Sequence, residues 1–321
     1  MSSSLIITIL LFLLGLVLII KGGDWFVDAA TWMAAASGLP QFLIGATVVS
    51  MATTLPEIIV STMAAAEGST DLAIGNAIGS VTANTGLIMA ISLIFMPVVI
   101  RMSQFIVKGV LMVLSTLVLW LLCRDGLLSL PESLIVLVLF IAFLIENIRS
   151  AKKLSQEESS DKAVPVDKSR KALLKNLALF VLGAACLVVG SNLLVDNGTV
   201  LAQLLGVSER IIAVTMVAIG TSLPELVTAI TAIVKKQSSM SVGNILGANI
   251  IDITIILPLC ALISGDGLQI AAQSVRQTVY LDMPMCVLET AIAVIPTMLC
   301  KRFTKLQGII MAALYISYVF V

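Results

Sequence analysis

The chain is built from long apolar runs that short polar stretches separate. Most of these runs are about 20 residues long, which is the length that a helix needs to cross the hydrocarbon core of a bilayer. Several carry small or polar residues in the interior, so the pattern favours helices that pack against one another as well as against lipid. Counting the runs predicts ten membrane spans, at roughly 4–36, 40–66, 71–96, 103–123, 130–149, 174–206, 209–234, 240–263, 275–299 and 304–321.

Composition supports a membrane protein. Of 321 residues, 59% are hydrophobic and 12% are charged, and the mean hydropathy of +1.10 is far too high for a soluble domain. The first apolar run, 4–20, lacks a basic leading segment and a small-residue cleavage site, so we expect a retained helix and not a signal peptide. The net charge is zero, which gives no indication of a nucleic-acid partner.

Cysteine and histidine usage argues against a redox or zinc site. The five cysteines are scattered through apolar runs without a CxxC pair, and the chain has no histidine. Nothing else indicates a cofactor. No nucleophile elbow or metal-hydrolase motif is present either, so we expect a protein that is not an enzyme.

The only long hydrophilic connection, 150–173, predicts a linker between two halves, 1–149 and 174–321. Basic residues concentrate in this linker and in every second short loop, and cytoplasmic loops are the ones enriched in Lys and Arg. The pattern therefore predicts a multi-pass protein of the cell (inner or plasma) membrane. Its linker would be cytoplasmic and both termini would lie outside.

The two halves repeat each other at a constant offset of 168 residues. Ala52–Glu57 reads ATTLPE and Gly220–Glu225 reads GTSLPE, and the same offset aligns Gly75-Asn76 with Gly243-Asn244. Because each copy contains five spans, an odd number, the second copy enters the membrane upside down. The sequence therefore predicts an all-α fold of two inverted five-helix repeats, a plan that secondary transporters use, with a site at their interface. The repeated cores cover about 40–96 and 209–263.

Each motif places a glutamate directly after a proline in the middle of a span. A carboxylate at a helix centre costs roughly 2.5–3.5 kcal/mol, so Glu57 and Glu225 are candidates for function. The prolines should break the helix and free backbone carbonyls such as those of Ser50 and Ala218. A proline kink whose threonines bond back to the helix would explain one such motif; two copies, each with a glutamate, favour a site. The hydroxyl residues beside them are Thr53, Thr54, Thr221 and Ser222.

The next span of each half carries a second polar cluster. Ser80 and Asn84 are four residues apart, as are Ala248 and Asp252, which places each pair on one helix face. The neighbouring glycines are expected to permit close helix packing. Together with both motifs, these residues predict an all-oxygen cage with three carboxylates. Hard cations such as Ca²⁺ prefer oxygen ligands, and neither motif contains Lys or Arg to neutralise the acids.

The motifs GTSLPE and GNxxGxxxxD resemble the two α-repeats of the sodium/calcium exchanger group in the calcium/cation antiporter superfamily. The resemblance covers nearly the whole chain. It implies ten helices and the exchange of Ca²⁺ for Na⁺ by alternating access, with these ions as substrates and the bilayer as surroundings; a monomer is expected. By position, Glu57, Glu225, Thr53 and Thr221 would hold Ca²⁺. The flanking Na⁺ sites and the central position would be lined by Thr54, Ser80, Ser222, the carbonyls of Ser50 and Ala218, and Asn84 with Asp252.

Two departures from the family pattern leave other functions open. The first motif has Ala52 and Thr54 in place of Gly and Ser, and Ala248 stands where the family commonly has serine, so one Na⁺ ligand is missing. A proton-coupled Ca²⁺/cation antiporter on the same scaffold is the alternative, because clustered carboxyl groups in a low dielectric bind protons readily. A passive cation channel fits the paired broken helices less well.

Overall fold

The computed structural model describes residues 3–95, 102–157, 166–205 and 220–320, and these are almost entirely helical. The helices coincide with the apolar runs, because a backbone in lipid must satisfy its hydrogen bonds within its own segment. In chain order they are α1 (Ser3–Ser37), α2 (Gln41–Thr53), α3 (Leu55–Ala66), α4 (Thr70–Phe95), α5 (Met102–Leu122), α6 (Leu130–Glu157), α7 (Arg170–Leu204), α8 (Leu223–Val234), α9 (Ser238–Ser264), α10 (Val275–Cys300) and α11 (Lys305–Val319).

Seven of the described helices are long and apolar enough to span a membrane: α1, α4, α5, α6, α7, α9 and α10. The helices α2 and α3 form an eighth candidate as a pair, bent by 44° at the break between them. The apolar helices α8 and α11 are shorter. The predicted span 209–234 includes α8, but its first part lies in residues 206–219, which are outside the described residues. A helical, multi-pass membrane fold is thus confirmed. Ten spans in two inverted halves stay a prediction.

The helices on either side of the predicted linker are longer than their apolar runs. The helix α6 continues to Glu157 and α7 begins at Arg170, so both extend into 150–173. The extensions are rich in Lys, Glu, Gln and Arg, which are good helix formers and can continue a helix into water. One feature departs from an all-helical fold: Leu127–Leu128 (β1) pairs antiparallel with Leu268–Gln269 (β2).

The connections on one side of the helix layer are joined to each other. The β1–β2 pair links the α5–α6 loop to the α9–α10 loop. At the start of α4, the Asp71 carboxylate accepts hydrogen bonds from the Ala271 backbone N–H (2.8 Å) and the Ser274 hydroxyl (2.7 Å). The loops after α3, α5 and α9 therefore lie on the same side.

A second set of connections meets on the opposite side. The Trp32 indole N–H at the end of α1 donates to the carbonyl of Asp167, 3.3 Å away, in the segment before α7. The Ser239 hydroxyl at the start of α9 lies 3.4 Å from the Gln41 side-chain oxygen at the start of α2. These contacts group the connections as the predicted topology does.

The helix α9 is the centre of the fold. Every residue from Met240 to Ile251 is buried. It lies directly against α2, because a Cβ at Gly243 would collide with the Phe42 carbonyl and one at Gly247 with the Ser50 side chain. The expected packing role of these two glycines is confirmed, and it brings the second polar cluster of one half against the broken helix of the other.

Candidate cation-binding site

The first motif forms the break between α2 and α3. Thr54 sits at the bend with φ −80° and ψ −3°, Pro56 occupies the first turn of α3, and Glu57 follows it in that turn. Proline is tolerated there because a first-turn N–H has no partner within the helix. The same helix terminus carries partial positive charge, which favours a carboxylate. The predicted break is confirmed.

The second motif repeats this geometry. Ser222 precedes α8 with φ −87° and ψ 7°, Pro224 lies in the first turn, and Glu225 follows it. Glu225 is fully buried, as Glu57 is, at 0% and 1% exposure. Ala218, whose carbonyl was predicted as a ligand, lies outside the described residues.

Asn84 and Asp252, which are equivalent by the 168-residue offset, both begin π-helical segments. These segments are Asn84–Met89 in α4 and Asp252–Ile256 in α9. A π-helical turn alters the backbone hydrogen-bond pattern and frequently occurs at functional sites. No residue pattern used here predicts it, so this part of the site was missed from the sequence.

Most of the predicted ligands are buried, and most of their side-chain oxygens lack a partner. Uncompensated polar groups are costly in a protein interior, and ionised carboxylates especially so. A cluster of orphaned oxygens therefore fits a cation that supplies the missing charge. The buried residues with such atoms, none of which has a hydrogen-bond partner in the structure, are Thr54, Glu57, Ser80, Asn84, Ser222, Glu225 and Asp252.

The three acids are close enough to interact electrostatically. Glu57 is repelled by both Glu225 and Asp252, and Asp252 by Glu225. Among the described residues, however, no three acidic groups converge tightly enough to hold one metal ion together. The all-oxygen cage that these three carboxylates would form with hydroxyl and carbonyl groups therefore stays a prediction.

Ser50 and Thr53 already have hydrogen-bond partners. The Ser50 carbonyl accepts the Thr54 N–H at 3.0 Å, so the break does not free this carbonyl as predicted. The reason is that a proline at 56 removes the N–H that would pair four residues earlier, at Ala52. The Thr53 hydroxyl donates to the Asn244 side-chain oxygen at 3.1 Å, which orients it across the interface between the halves.

Two asparagines that were not predicted as ligands belong to this network. The Asn244 amide N–H donates to the Thr228 hydroxyl at 3.3 Å and thereby connects α9 to α8. The Asn249 amide N–H donates to the Thr85 hydroxyl at 2.7 Å, and its side-chain oxygen is buried without a partner. Asn249 directly follows Ala248 in the sequence. The alignment of Asn76 with Asn244 was the available sequence signal for Asn244. The 168-residue offset pairs Asn249 with Val81, so the repeat gave no such signal for Asn249.

A cavity of about 150 Å³ lies beside the two helix breaks. It is lined by Pro56 of the first motif and Val60 of α3, by Thr221 and Pro224 of the second motif, and by polar residues of α7 that include Asp196. Thr221 is half-buried and is the one predicted hydroxyl ligand on this wall. The cavity therefore lies next to residues of both motifs.

Known proteins are similar to this chain in sequence and in fold. A family model described as sodium/calcium exchanger protein matches residues 7–148 and 175–321. The sodium/calcium exchanger MaX1 of Methanosarcina acetivorans is 26% identical over 354 aligned residues, covering 98% of each chain. The inner membrane protein YrbG of Escherichia coli is 36% identical over 258 residues, or 79% of each. A structure of the sodium-calcium exchanger NCX_Mj soaked with Na⁺ and Sr²⁺ superimposes with a TM-score of 0.82 at 29% identity, covering 98% of this chain and 99% of that one.

Proposed function

Because this chain belongs to the sodium/calcium exchanger protein family, we propose that it exchanges Ca²⁺ for Na⁺ by alternating access. The ions bind between two inverted five-helix halves, near the middle of the membrane. Such an exchanger moves ions without converting them chemically, so we expect no enzymatic activity and no cofactor. We place it in the cell membrane, as a monomer.

The buried, unpartnered oxygens are the observation that carries this proposal. They are contributed by both motifs and by the helices α4 and α9, and three of the side chains are carboxyl groups without a cationic partner among the described residues. Oxygen ligands in flexible geometry suit Ca²⁺, and fewer of them suffice for Na⁺. A soluble or purely structural role would not need three unpaired acids at the core of a membrane protein.

We assign the ligands according to position. Glu57 and Glu225, with the Thr53 and Thr221 hydroxyls, form the Ca²⁺ site. The flanking Na⁺ sites use the remaining hydroxyls and backbone carbonyls, and Asn84 with Asp252 forms the central position. Ala248 leaves one flanking site short of a hydroxyl ligand.

Three observations support the inverted repeat. The family model matches two segments that nearly coincide with the predicted halves, 1–149 and 174–321. The described loops after α3, α5 and α9 meet on one side, which agrees with ten spans. The backbone at the two motifs agrees closely, with Thr54 and Ser222 differing by no more than about 10° in φ and ψ.

The test is ⁴⁵Ca²⁺ flux in proteoliposomes under separately imposed Na⁺, K⁺ and H⁺ gradients. We expect saturable Ca²⁺ movement driven by an opposing Na⁺ gradient and absent without a counter-ion. Movement that follows only the pH gradient would replace Na⁺ by H⁺ as the coupling ion, a result that Ala248 makes worth testing. Flux that needs no counter-ion would identify a channel and contradict the proposal.

A further inference from the structure

The helices α3 and α8, equivalent in the two halves, end in the same way. The N–H of Glu67 bonds to the Met63 carbonyl at 3.0 Å, and the N–H of Lys235 bonds to the Thr231 carbonyl at 2.9 Å. The following residue is left-handed in both, with φ +78° at Gly68 and +60° at Lys236. Their sequence positions differ by the 168-residue offset, so the backbone is duplicated while the charge of the capping side chain is reversed.

We call these two helix ends corners: Glu67-Gly68 after α3 and Lys235-Lys236 after α8. Lys235 joins its corner to α1. Its ammonium group lies 2.7 Å from the Asp28 carboxylate and 3.4 Å from the Asp24 carboxylate, and it donates to the Asp24 carbonyl at 3.0 Å. The lysine side chain is three-quarters covered, at 25% exposure. Lys235 therefore holds the end of α8 against α1.

The equivalent corner of the other half cannot form this contact. By the offset, Asp24 and Asp28 correspond to Asn192 and Asp196 on α7, and Lys235 corresponds to Glu67. Approach of α3 to α7 would bring two acidic side chains, Glu67 and Asp196, toward each other. Like charges repel, so this corner is biased against closing.

The packing of the two corners follows the charge. A Cβ at Gly23 of α1 would lie 2.9 Å from the Val227 side chain and 3.0 Å from the Thr231 hydroxyl, so α1 and α8 are in close contact. The residues equivalent to Val227 and Thr231 are Ile59 and Met63, which are 52% and 58% exposed. The cavity beside the site lies between α3 and α7, where that contact is missing. One corner is closed and its mate is open.

The helices α1 and α7 are locked together as one unit. A Cβ at Gly15 would lie 3.0 Å from the Gly190 carbonyl, and one at Gly22 would lie 2.9 Å from the Gly183 carbonyl. These two contacts run almost backbone to backbone, so the helices cannot move far apart independently. Movement of α1 away from α8 would therefore shift α7 relative to α3.

We propose that Lys235 is a positioning residue for transport: by pairing with Asp28 and Asp24 it closes the Lys235 side of the site, and the acidic Glu67 and Asp196 keep the opposite side open. Lys235 touches no ligand and acts through the position of α1. This inference rests on the proposed alternating-access function. The distribution of basic residues predicts that the closed side is cytoplasmic.

The experiment measures access to each side with a membrane-impermeant thiol reagent on a cysteine-free background. Thr231→Cys reports on the Lys235 side and Asn192→Cys on the Glu67 side. Partly exposed ion pairs shift an equilibrium by about two- to fivefold. We therefore expect Lys235→Gln to speed labelling of the first reporter by that factor, and Lys235→Arg to leave the rate unchanged. The charge exchange Lys235→Glu with Glu67→Lys should also slow labelling of the second reporter.

Ca²⁺ flux adds a readout that a merely structural lysine would not move. Depopulating a binding-competent state raises the apparent dissociation constant on its side. In Lys235→Gln, half-saturating Ca²⁺ should rise about two- to fivefold on the Glu67 side and fall on the Lys235 side. Unchanged labelling in both the Lys235→Gln and charge-exchange proteins, provided that both elute as the wild type does, overturns the proposal. Absence of Ca²⁺ flux in the wild type contradicts the transport function alone, since labelling still tests the Lys235 contact.

Discussion

Replacing Glu225 by glutamine tests the charge that the site presents to a divalent ion. The amide keeps the shape of the side chain, which is fully buried, and removes one of the negative charges from a region where both carboxylate oxygens lack partners. Removing one member of a buried charge pair costs about 3–5 kcal/mol. At 1.4 kcal/mol per factor of ten, Ca²⁺ affinity should fall by roughly 10² to 10³·⁵-fold.

The consequence can be read without transport, from thermal unfolding of the purified protein. A ligand at 100 times its dissociation constant stabilises the folded state by about 2.7 kcal/mol. At the same Ca²⁺ concentration, Glu225→Gln should gain only about 0.4 kcal/mol or less, because the ion no longer saturates the site. Asp266→Asn, which removes an exposed carboxylate in the α9–α10 loop, is the matched control and should keep the full stabilisation. Wild-type Ca²⁺ stabilisation in Glu225→Gln would remove this residue from the site.

Three other predictions concern the Na⁺ ligands, the packing of α9 and the membrane topology. Ala248→Ser should lower the half-saturating Na⁺ concentration for Ca²⁺ exchange by about tenfold. A hydroxyl that binds a charged group contributes about 1.5–3 kcal/mol, and the cost of desolvating the buried hydroxyl offsets part of that gain. An unchanged Na⁺ curve contradicts the missing-ligand interpretation. Gly247→Ala should destabilise the protein by about 1–3 kcal/mol in a denaturation series because its Cβ collides with α2. Gly79→Ala should be tolerated, because a Cβ there would have no neighbouring atom within 4 Å. Equal losses of stability in Gly247→Ala and Gly79→Ala would refute this. Cysteines at Ser69 and Lys171 should label from opposite faces of the membrane; labelling from one face would rule out the predicted topology.

The repeat made much of the site predictable, because an exact offset marks Glu57 with Glu225 and Asn84 with Asp252. Their burial follows from hydropathy, and their unpartnered state follows from the lack of nearby basic residues. The lengths of α6 and α7 did not follow, since helix propensity continues past the apolar runs and hydropathy does not register it. The partners of Thr53 across the interface also depend on tertiary packing, which places α9 against α2 through Gly243.

Local sequence could not identify the π-helical segments or the Lys235 contact. A π-turn is one extra residue in a helix and leaves the apolar pattern almost unchanged. Lys235 and Asp28 are far apart in the chain and looked like ordinary membrane-boundary charges. Only the packing of α1 on α8 shows that they meet, and only comparison with Glu67 and Asp196 shows that the other half reverses the charge.

The unpartnered oxygens also bear on why such a protein exchanges ions and does not leak them. A carrier that returned empty would have to pass through a closed form with its buried acids stripped of both water and cation, at an effective penalty of several kcal/mol per charge. An ion taken up from the other side removes that penalty. The requirement for exchange therefore follows from the lack of a partner for Glu57, Glu225 and Asp252. The conformational change that returns the site to its first side is slow unless a cation is bound.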